Sequence, residues 1–332
     1  MKRVFSGIQP TGTLHIGNYF GAVRNWVTLQ GEADSMICIV DYHAITVDVD
    51  PSSLRSASLG MATDLLACGI DPEKTTLFLQ SDVPEHTELA WILGCVTSYG
   101  DLSRMTQFKD KSGREAFVSS GLFTYPVLQA ADILLYRADL VPVGEDQVQH
   151  LELSRRIARR FNSRFGELFA EPEPMLGGKG ARIMSLSDPE AKMSKSSGET
   201  HYVGVMEEEA SVRRKVRSAV TDMGLEAGTA MSAGVANLFE ILDLCIEGTE
   251  ADDLARSLRE QFTAGTLRYV SLKDAVLDHL MAVLRPIQRR RADLIAAGDV
   301  PEILREGGRR ARARAQETMA QVRELVGLGT PS

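Results

Sequence analysis

Short apolar runs alternate with amphipathic stretches through the first 80 residues, and this alternation constrains the fold more than any other feature of the chain. Val4-Phe-Ser-Gly-Ile8, Met36-Ile-Cys-Ile-Val40 and Thr76-Leu-Phe-Leu-Gln80 read as buried strands. Between the first two, Ile16, Phe20, Val23 and Val27 recur at i, i+4, i+7 and i+11, a helical face. Between the second and third, residues 52–68 read as a helix stopped by Gly69. Strands that alternate with helices of this length are joined by crossovers. The predicted fold class is therefore α/β, with a Rossmann-like doubly wound parallel sheet. Leu140-Val-Pro-Val143 adds a strand, followed by a helix with Val148, Leu151, Ala158, Phe161 and Phe165 on its inner face. Pro172, Pro174, Gly177, Gly178 and Gly180 mark a loop, and Arg182–Leu186 reads as one more strand.

The pattern becomes helical near residue 200. Helices are expected at about 234–247, 250–262, 271–297 and 300–326. Two domains follow: residues 1–200, with a connective insertion around 105–180, and an all-α region over 201–332. The last helix is left open to pack back on the first domain. The four cysteines, Cys38, Cys68, Cys95 and Cys245, form no CxxC pair and are expected to be buried free thiols. The N-terminus turns polar too soon for a secretory signal, and no apolar run approaches about 18 residues. A cytoplasmic protein without a membrane span is expected. The net charge of −8 argues against a protein held to nucleic acid by bulk charge. The charge is uneven, however: residues 285–314 carry nine arginines against four carboxylates, +5 there and −13 elsewhere. That stretch, with Arg213–Arg217, is where contacts to RNA phosphates are expected.

Four segments carry chemistry. Gln9-Pro-Thr-Gly-Thr-Leu-His-Ile-Gly-Asn18 is a strand-to-helix turn, where free N–H groups and the helix dipole favour a phosphate. His15 and Asn18 share one side of the first helical turn. Lys192-Met-Ser-Lys-Ser196 is a compact cluster of cations and hydroxyls, suited to a polyphosphate leaving group. In Tyr125-Pro-Val-Leu-Gln-Ala-Ala-Asp-Ile-Leu-Leu-Tyr136, Tyr125, Gln129, Asp132 and Tyr136 form a polar stripe among apolar neighbours, and a carboxylate in such company needs a partner. Gly144-Glu-Asp-Gln147 is another strand-to-helix turn. Each has a plainer reading as a capped turn, a solvated loop or an exposed helix face. His43, His86, His150, His201 and His279 show no ligand spacing and receive no role; no metal-ligand cluster is evident.

His15-Ile16-Gly17-Asn18 together with the intact Lys192–Ser196 resembles the paired signatures of class I aminoacyl-tRNA synthetases. The first differs from the family pattern in having Asn18 as its last residue, as the tryptophanyl branch often does. Phe5–Gly12, Gly17–Ala22, Asp41–Thr46, Met105–Lys109, Val141–Gln147 and Gly180–Leu186 extend the similarity to bacterial tryptophanyl-tRNA synthetases over residues 2–220. This resemblance implies activation of L-tryptophan by ATP, accompanied by Mg²⁺, and transfer to tRNA(Trp). It also implies a homodimer and an anticodon-reading helical domain. Implied ATP contacts are Gln9, Pro10, Thr11, Gly17, Asn18, Gly144, Glu145, Asp146, Ile183, Lys192, Met193, Ser194, Lys195 and Ser196. Implied tryptophan contacts are Phe5, Gly7, Tyr125, Gln129, Asp132, Ile133, Val141, Val143 and Gln147, with Asp132 accepting the indole N–H. His15, Asn18, Lys111, Lys192 and Lys195 would act on the phosphates. Gln129 leaves a tyrosyl enzyme open, since tyrosyl enzymes carry Tyr, Gln and Asp at this spacing. Another nucleotidyltransferase or a catalytically silent RNA-binding relative are the remaining alternatives.

Overall fold

The computed structural model describes residues 1–106, 118–176, 183–222, 230–248 and 252–330. Lys111, the segment 109–114 and Arg182 lie outside them, and the Ser196 side chain is not described. Five parallel strands form the sheet: β1 (Arg3–Ile8), β2 (Asp34–Ile39), β3 (Thr75–Leu79), β4 (Leu140–Val143) and β5 (Glu173–Leu176). Their order is β3-β2-β1-β4-β5. The chain winds outward in one direction from β1 and then in the other, so the sheet has a switch point between β1 and β4. Ligands of such sheets sit beyond the strand carboxyl ends at that point.

The helices are α1 (Ile16–Asn18), α2 (Arg24–Leu29), α3 (Asp41–Ala44), α4 (Pro51–Ala67), α5 (Glu85–Gly94), α6 (Tyr99–Ser103), α7 (Ser120–Leu135), α8 (Val148–Phe165), α9 (Glu209–Ser218), α10 (Ala233–Ile246), α11 (Asp252–Thr263), α12 (Tyr269–Ala297) and α13 (Val300–Val326). A π-helical turn, Tyr19–Val23, joins α1 to α2 while keeping Ile16, Phe20 and Val23 buried. Asp50 caps α4 by accepting from the Ser53 N–H, and Gly69 (φ +113°) ends it. None of the described helices is long and apolar enough to cross a membrane.

Two sequence expectations are corrected. Residues 173–176, read as loop from Pro172 and Pro174, form β5. It is an edge strand paired only to β4, where proline is tolerated. The expected strand at 182–186 does not form over its described residues; Met184 makes a single antiparallel bridge to Lys192.

One core lies on each face of the sheet. The first joins Leu14, Ile16, Phe20 and Leu65 to Val203, Val235, Leu242, Leu272 and Leu280, so α10 and α12 share a core with the first α/β units. The second joins Phe5, Phe78, Leu89, Leu134 and Phe161 to Ala311, Ala315 and Met319 of α13. That helix presses against β3: a Cβ at Gly307 would stand 1.8 Å from the Leu77 carbonyl oxygen. Most arginines of 285–314 keep exposed side chains, yet several pair with partners inside the protein. Arg291 pairs with Asp64, Arg312 with Glu85 and Arg314 with Asp34, while Arg310 donates to the Pro72 carbonyl. Arg285 pairs with Glu209, and Arg309 with Glu302 and Glu306. Of the cysteines, Cys38, Cys68 and Cys245 are buried; Cys95 is exposed, contrary to expectation.

Candidate active site

Two adjoining cavities open at the switch point. The first, of about 450 Å³, is lined by Phe5, Gly7, Tyr125, Gln129, Asp132, Ile133, Val141, Val143 and Gln147, together with Gln9, Trp26, Val40 and His43. The second, of about 650 Å³, is lined by His15, Gly17, Asn18, Gly144, Asp146, Ile183, Lys192, Met193 and Ser194. Asn18, Trp26, Val143 and Gly144 border both. Thus a group in one cavity can meet a group in the other.

The floor of the first cavity is Asp132, 2% exposed on α7. Its carboxylate accepts three hydrogen bonds of 2.7 Å each, from Gln80 Nε2 and His86 Nδ1 on one oxygen and from His43 Nε2 on the other. Burial alone would push this carboxyl up; the charge and hydrogen bonds of His43 and His86 outweigh it and hold it down at about 2. His86 Nε2 in turn meets the Tyr136 hydroxyl at 2.8 Å. Because Asp132 is acceptor-only, His86 Nδ1 is the donor in that pair. Phe5 stacks on Tyr136 with centroids 5.5 Å apart. Gly7 keeps the wall thin: a Cβ there would reach 3.1 Å from Val40 Cγ1. Tyr125 Oη bonds His150 Nε2 at 2.8 Å, and burial raises the phenol to about 12. The Gln129 and Gln147 amides bond each other at 3.3 Å.

Three histidines left without a role by the sequence reading, His43, His86 and His150, therefore belong to this site. They escaped because they come from three separate elements and touch Asp132 and Tyr125 only after folding. Gln80 was missed for the same reason, and Trp26, on α2, was missed as a residue bordering both cavities. His43 carried one usable signal, its place within the similar segment Asp41–Thr46.

In the second cavity His15 caps α1. Its Nδ1 accepts from the Asn18 N–H at 3.3 Å, and Asn18 Oδ1 accepts from the His15 N–H at 3.4 Å. This reciprocal cap leaves His15 Nε2–H and the Asn18 amide N–H groups as outward donors. Burial first, then Lys195 and Lys192, lowers His15 to about 4, so the ring is neutral at physiological pH. Lys195 Nζ donates to the Thr11 carbonyl at 2.6 Å, and its stem lies 3.1 Å from where a Cβ of Gly12 (φ +67°) would be. Burial also lowers Lys195. Pro10 is buried and Thr11 exposed, and neither lines either cavity. Glu145 is exposed, and neither it nor Asp146 caps the following helix.

The loop that carries Lys192 and Lys195 is pinned from two sides. Met193 N–H donates to Ile183 O and Ser185 N–H to Ala191 O, closing a small hairpin. Asn237 of α10 clamps it, accepting from the Met184 N–H at 2.9 Å and donating to the Met184 carbonyl at 3.0 Å. On the opposite side, Ile16 N–H donates to Val203 O and Val205 N–H to Leu14 O, tying the His15 turn to residues 203–205.

Residues 1–285 match the family model of class I tRNA synthetases for tryptophan and tyrosine (W and Y). The chain belongs to this family. Within it, the chain is 48% identical over 331 residues to a tryptophan–tRNA ligase of Caldanaerobacter subterraneus subsp. tengcongensis, covering 99% of each. It is 46% identical over 330 residues to the tryptophan–tRNA ligase of Helicobacter pylori strain 26695, covering 98% of this chain and 99% of that one. Among solved structures, Mycoplasma pneumoniae tryptophanyl-tRNA synthetase superposes with a TM-score of 0.90 at 36% identity, covering 99% and 98% of the two chains. The Campylobacter jejuni enzyme complexed with ADP and tryptophan gives 0.86 at 36% identity, covering 98% and 100%.

Proposed function

We propose that this protein activates L-tryptophan with ATP and transfers it from the adenylate to tRNA(Trp). The observation that carries the reading is the pairing of the cavities: a buried acceptor-only carboxylate closes one, and a ring of phosphate donors lines the other. In this reading Asp132 accepts the indole N–H and Gln147 with Gln129 meets the ammonium. The tryptophan carboxylate, already a nucleophile at neutral pH, attacks the ATP α-phosphate across the border at Asn18 and Gly144. Pyrophosphate leaves toward His15, Asn18, Lys192 and Lys195. The catalytic contribution is positioning and electrostatic stabilisation. No group of three His, Cys, Asp or Glu among the described residues is arranged to hold a metal, so Mg²⁺ would be held by the ATP phosphates and water. Lys111 is assigned to pyrophosphate by family resemblance alone.

The second half of the chain, residues 201–332, is proposed to read the anticodon while residues 1–200 carry the chemistry. A homodimer is supported by Trp91 and Tyr99, 78% and 76% exposed on neighbouring helices. The proposed place of work is the cytoplasm, where charged tRNA is consumed. Pyrophosphate exchange measured with each of the twenty amino acids tests the assignment: tryptophan alone is expected to support it, and exchange driven by tyrosine would overturn it. Lys195→Ala is expected to lower the exchange rate by about a hundredfold, the loss of one well-placed transition-state contact.

A further inference from the structure

A separate polar pocket of about 240 Å³ opens at the amino end of the sheet, lined in part by Arg3, Asp34, Tyr136, Arg137, Arg314 and Glu317. Arg3 and Asp34 begin β1 and β2, and Tyr136, stacked on Phe5 of the first cavity, stands between that cavity and this pocket. Three guanidinium groups meet two carboxylates there. Arg314 is already engaged, donating from Nη1 to both Asp34 oxygens at 2.9 and 2.8 Å. Asp139, beside Arg3, accepts the Arg3 backbone N–H at 2.8 Å. Arg137 is different. Its Nε is buried with no hydrogen-bond partner. Burial and the neighbouring charge of Arg3 both work against its cation, and Glu317 favours it without forming an ion pair. Its backbone also has φ +50°, the one positive value of a non-glycine among the described residues. Arg137 follows the end of α7, at the position where glycine usually takes this left-handed conformation. Thus an arginine stands where glycine would be easier, beside a like charge and short of an acceptor.

We propose that this pocket binds a small free oxyanion of the phosphate class, with Arg137 and Arg3 as its principal donors. A tetrahedral oxyanion supplies the acceptors that Arg137 lacks and relieves the repulsion between the two guanidinium groups. Inorganic phosphate and pyrophosphate present the same group, and the latter is the product expected of the proposed reaction.

The test is calorimetric titration of the full-length protein carrying Lys192→Ala and Lys195→Ala, which weakens anion binding in the ATP cavity. Saturable binding of phosphate or pyrophosphate is expected, with none from potassium chloride at matched ionic strength. Adding Arg137→Gly should weaken that binding by about tenfold or more, the loss of one charge-assisted contact. Its melting temperature without phosphate should be equal or higher, since glycine takes the left-handed conformation freely. Arg3→Gln, which leaves that backbone alone, should weaken binding similarly. Tighter binding of pyrophosphate than phosphate would mark the reaction product as the ligand; the reverse would mark free phosphate. Absence of saturable binding in the parent, equal binding of chloride, or affinity unchanged in both variants would overturn the proposal.

Discussion

At the scale of single residues, Asp132 shows how donor and acceptor counting can set a specificity. Its two oxygens offer about four acceptor positions, and Gln80, His86 and His43 occupy three. One remains, the position that the proposed function gives to the indole N–H. Asp132→Asn would turn an amide N–H₂ toward either His43 Nε2 or the pair Gln80 Nε2 and His86 Nδ1. Tryptophan KM is expected to rise at least about tenfold, with ATP KM little changed, when both are read from pyrophosphate exchange. Equal losses in both would mark a folding defect instead. His15 gives a pH signature. The folded ring holds off its proton until about pH 4, whereas an unfolded histidine takes one near 6.5. Stability should therefore fall as pH drops from 6.5 to 4 and change no further on that account below 4. Denaturant titrations of the wild type and His15→Gln should diverge over that window, the variant being flatter. Asp132 was legible in the sequence because a lone carboxylate among Leu128, Ala131 and Ile133 demands a partner. The partners were not, since no spacing rule links residues 43, 80 and 86 before the sheet brings them together.

At the scale of elements, the sequence conveyed the alternation of β1, α4 and β3 and the long helices α12 and α13, whose periodicities are sustained. It hid β5, because two prolines resemble loop punctuation where an edge strand can carry them. It also hid the clamp on the Lys192–Lys195 loop, because Asn237 lies far along the chain in α10, an unremarkable apolar helix with a single amide. The clamp is bidentate and 5% exposed, so its removal leaves both Met184 backbone groups without their partner. Asn237→Leu is expected to slow adenylate formation through a misplaced Lys195, while tryptophan KM, set on the other side of the sheet switch point, stays near the wild-type value. Single-turnover adenylate formation measured beside equilibrium tryptophan binding separates the two effects; parallel loss of both would show that the clamp merely holds the fold. Gly307 makes the corresponding argument for packing. Gly307→Ala would drive a methyl into the Leu77 carbonyl and lift α13 from β3, a loss of about 1–3 kcal/mol or more in chemical denaturation.

At the scale of the whole molecule, the uneven charge has a structural meaning that composition could not give. The +5 stretch and the −13 remainder are joined in space: α12 and α13 lay Arg291, Arg312 and Arg314 against Asp64, Glu85 and Asp34, carboxylates from the first half of the chain. Arg323 does the same with Glu88. These pairs tie the tail helices to the first half of the chain, and α12 adds a further tie: Gln288 donates to Val205 O and Glu207 O, next to the residues that hold the His15 turn. Arg312 meets Glu85 through Nε, and Glu85 is 5% exposed with its other oxygen buried without a partner, so losing the arginine would leave that carboxylate uncompensated. The arginine run thus acts first as an internal strap. Arg312→Ala is expected to cost about 1–2 kcal/mol in denaturant unfolding, below the full loss of a buried pair because the guanidinium is half exposed. The KM for tRNA should not change. Arg309, exposed and paired only within its own helix, should leave stability almost untouched when replaced by alanine. If tRNA charging responds to Arg309→Ala and not to Arg312→Ala, the RNA meets the outer face of α13; if Arg312→Ala weakens tRNA binding at unchanged stability, the strap reading fails.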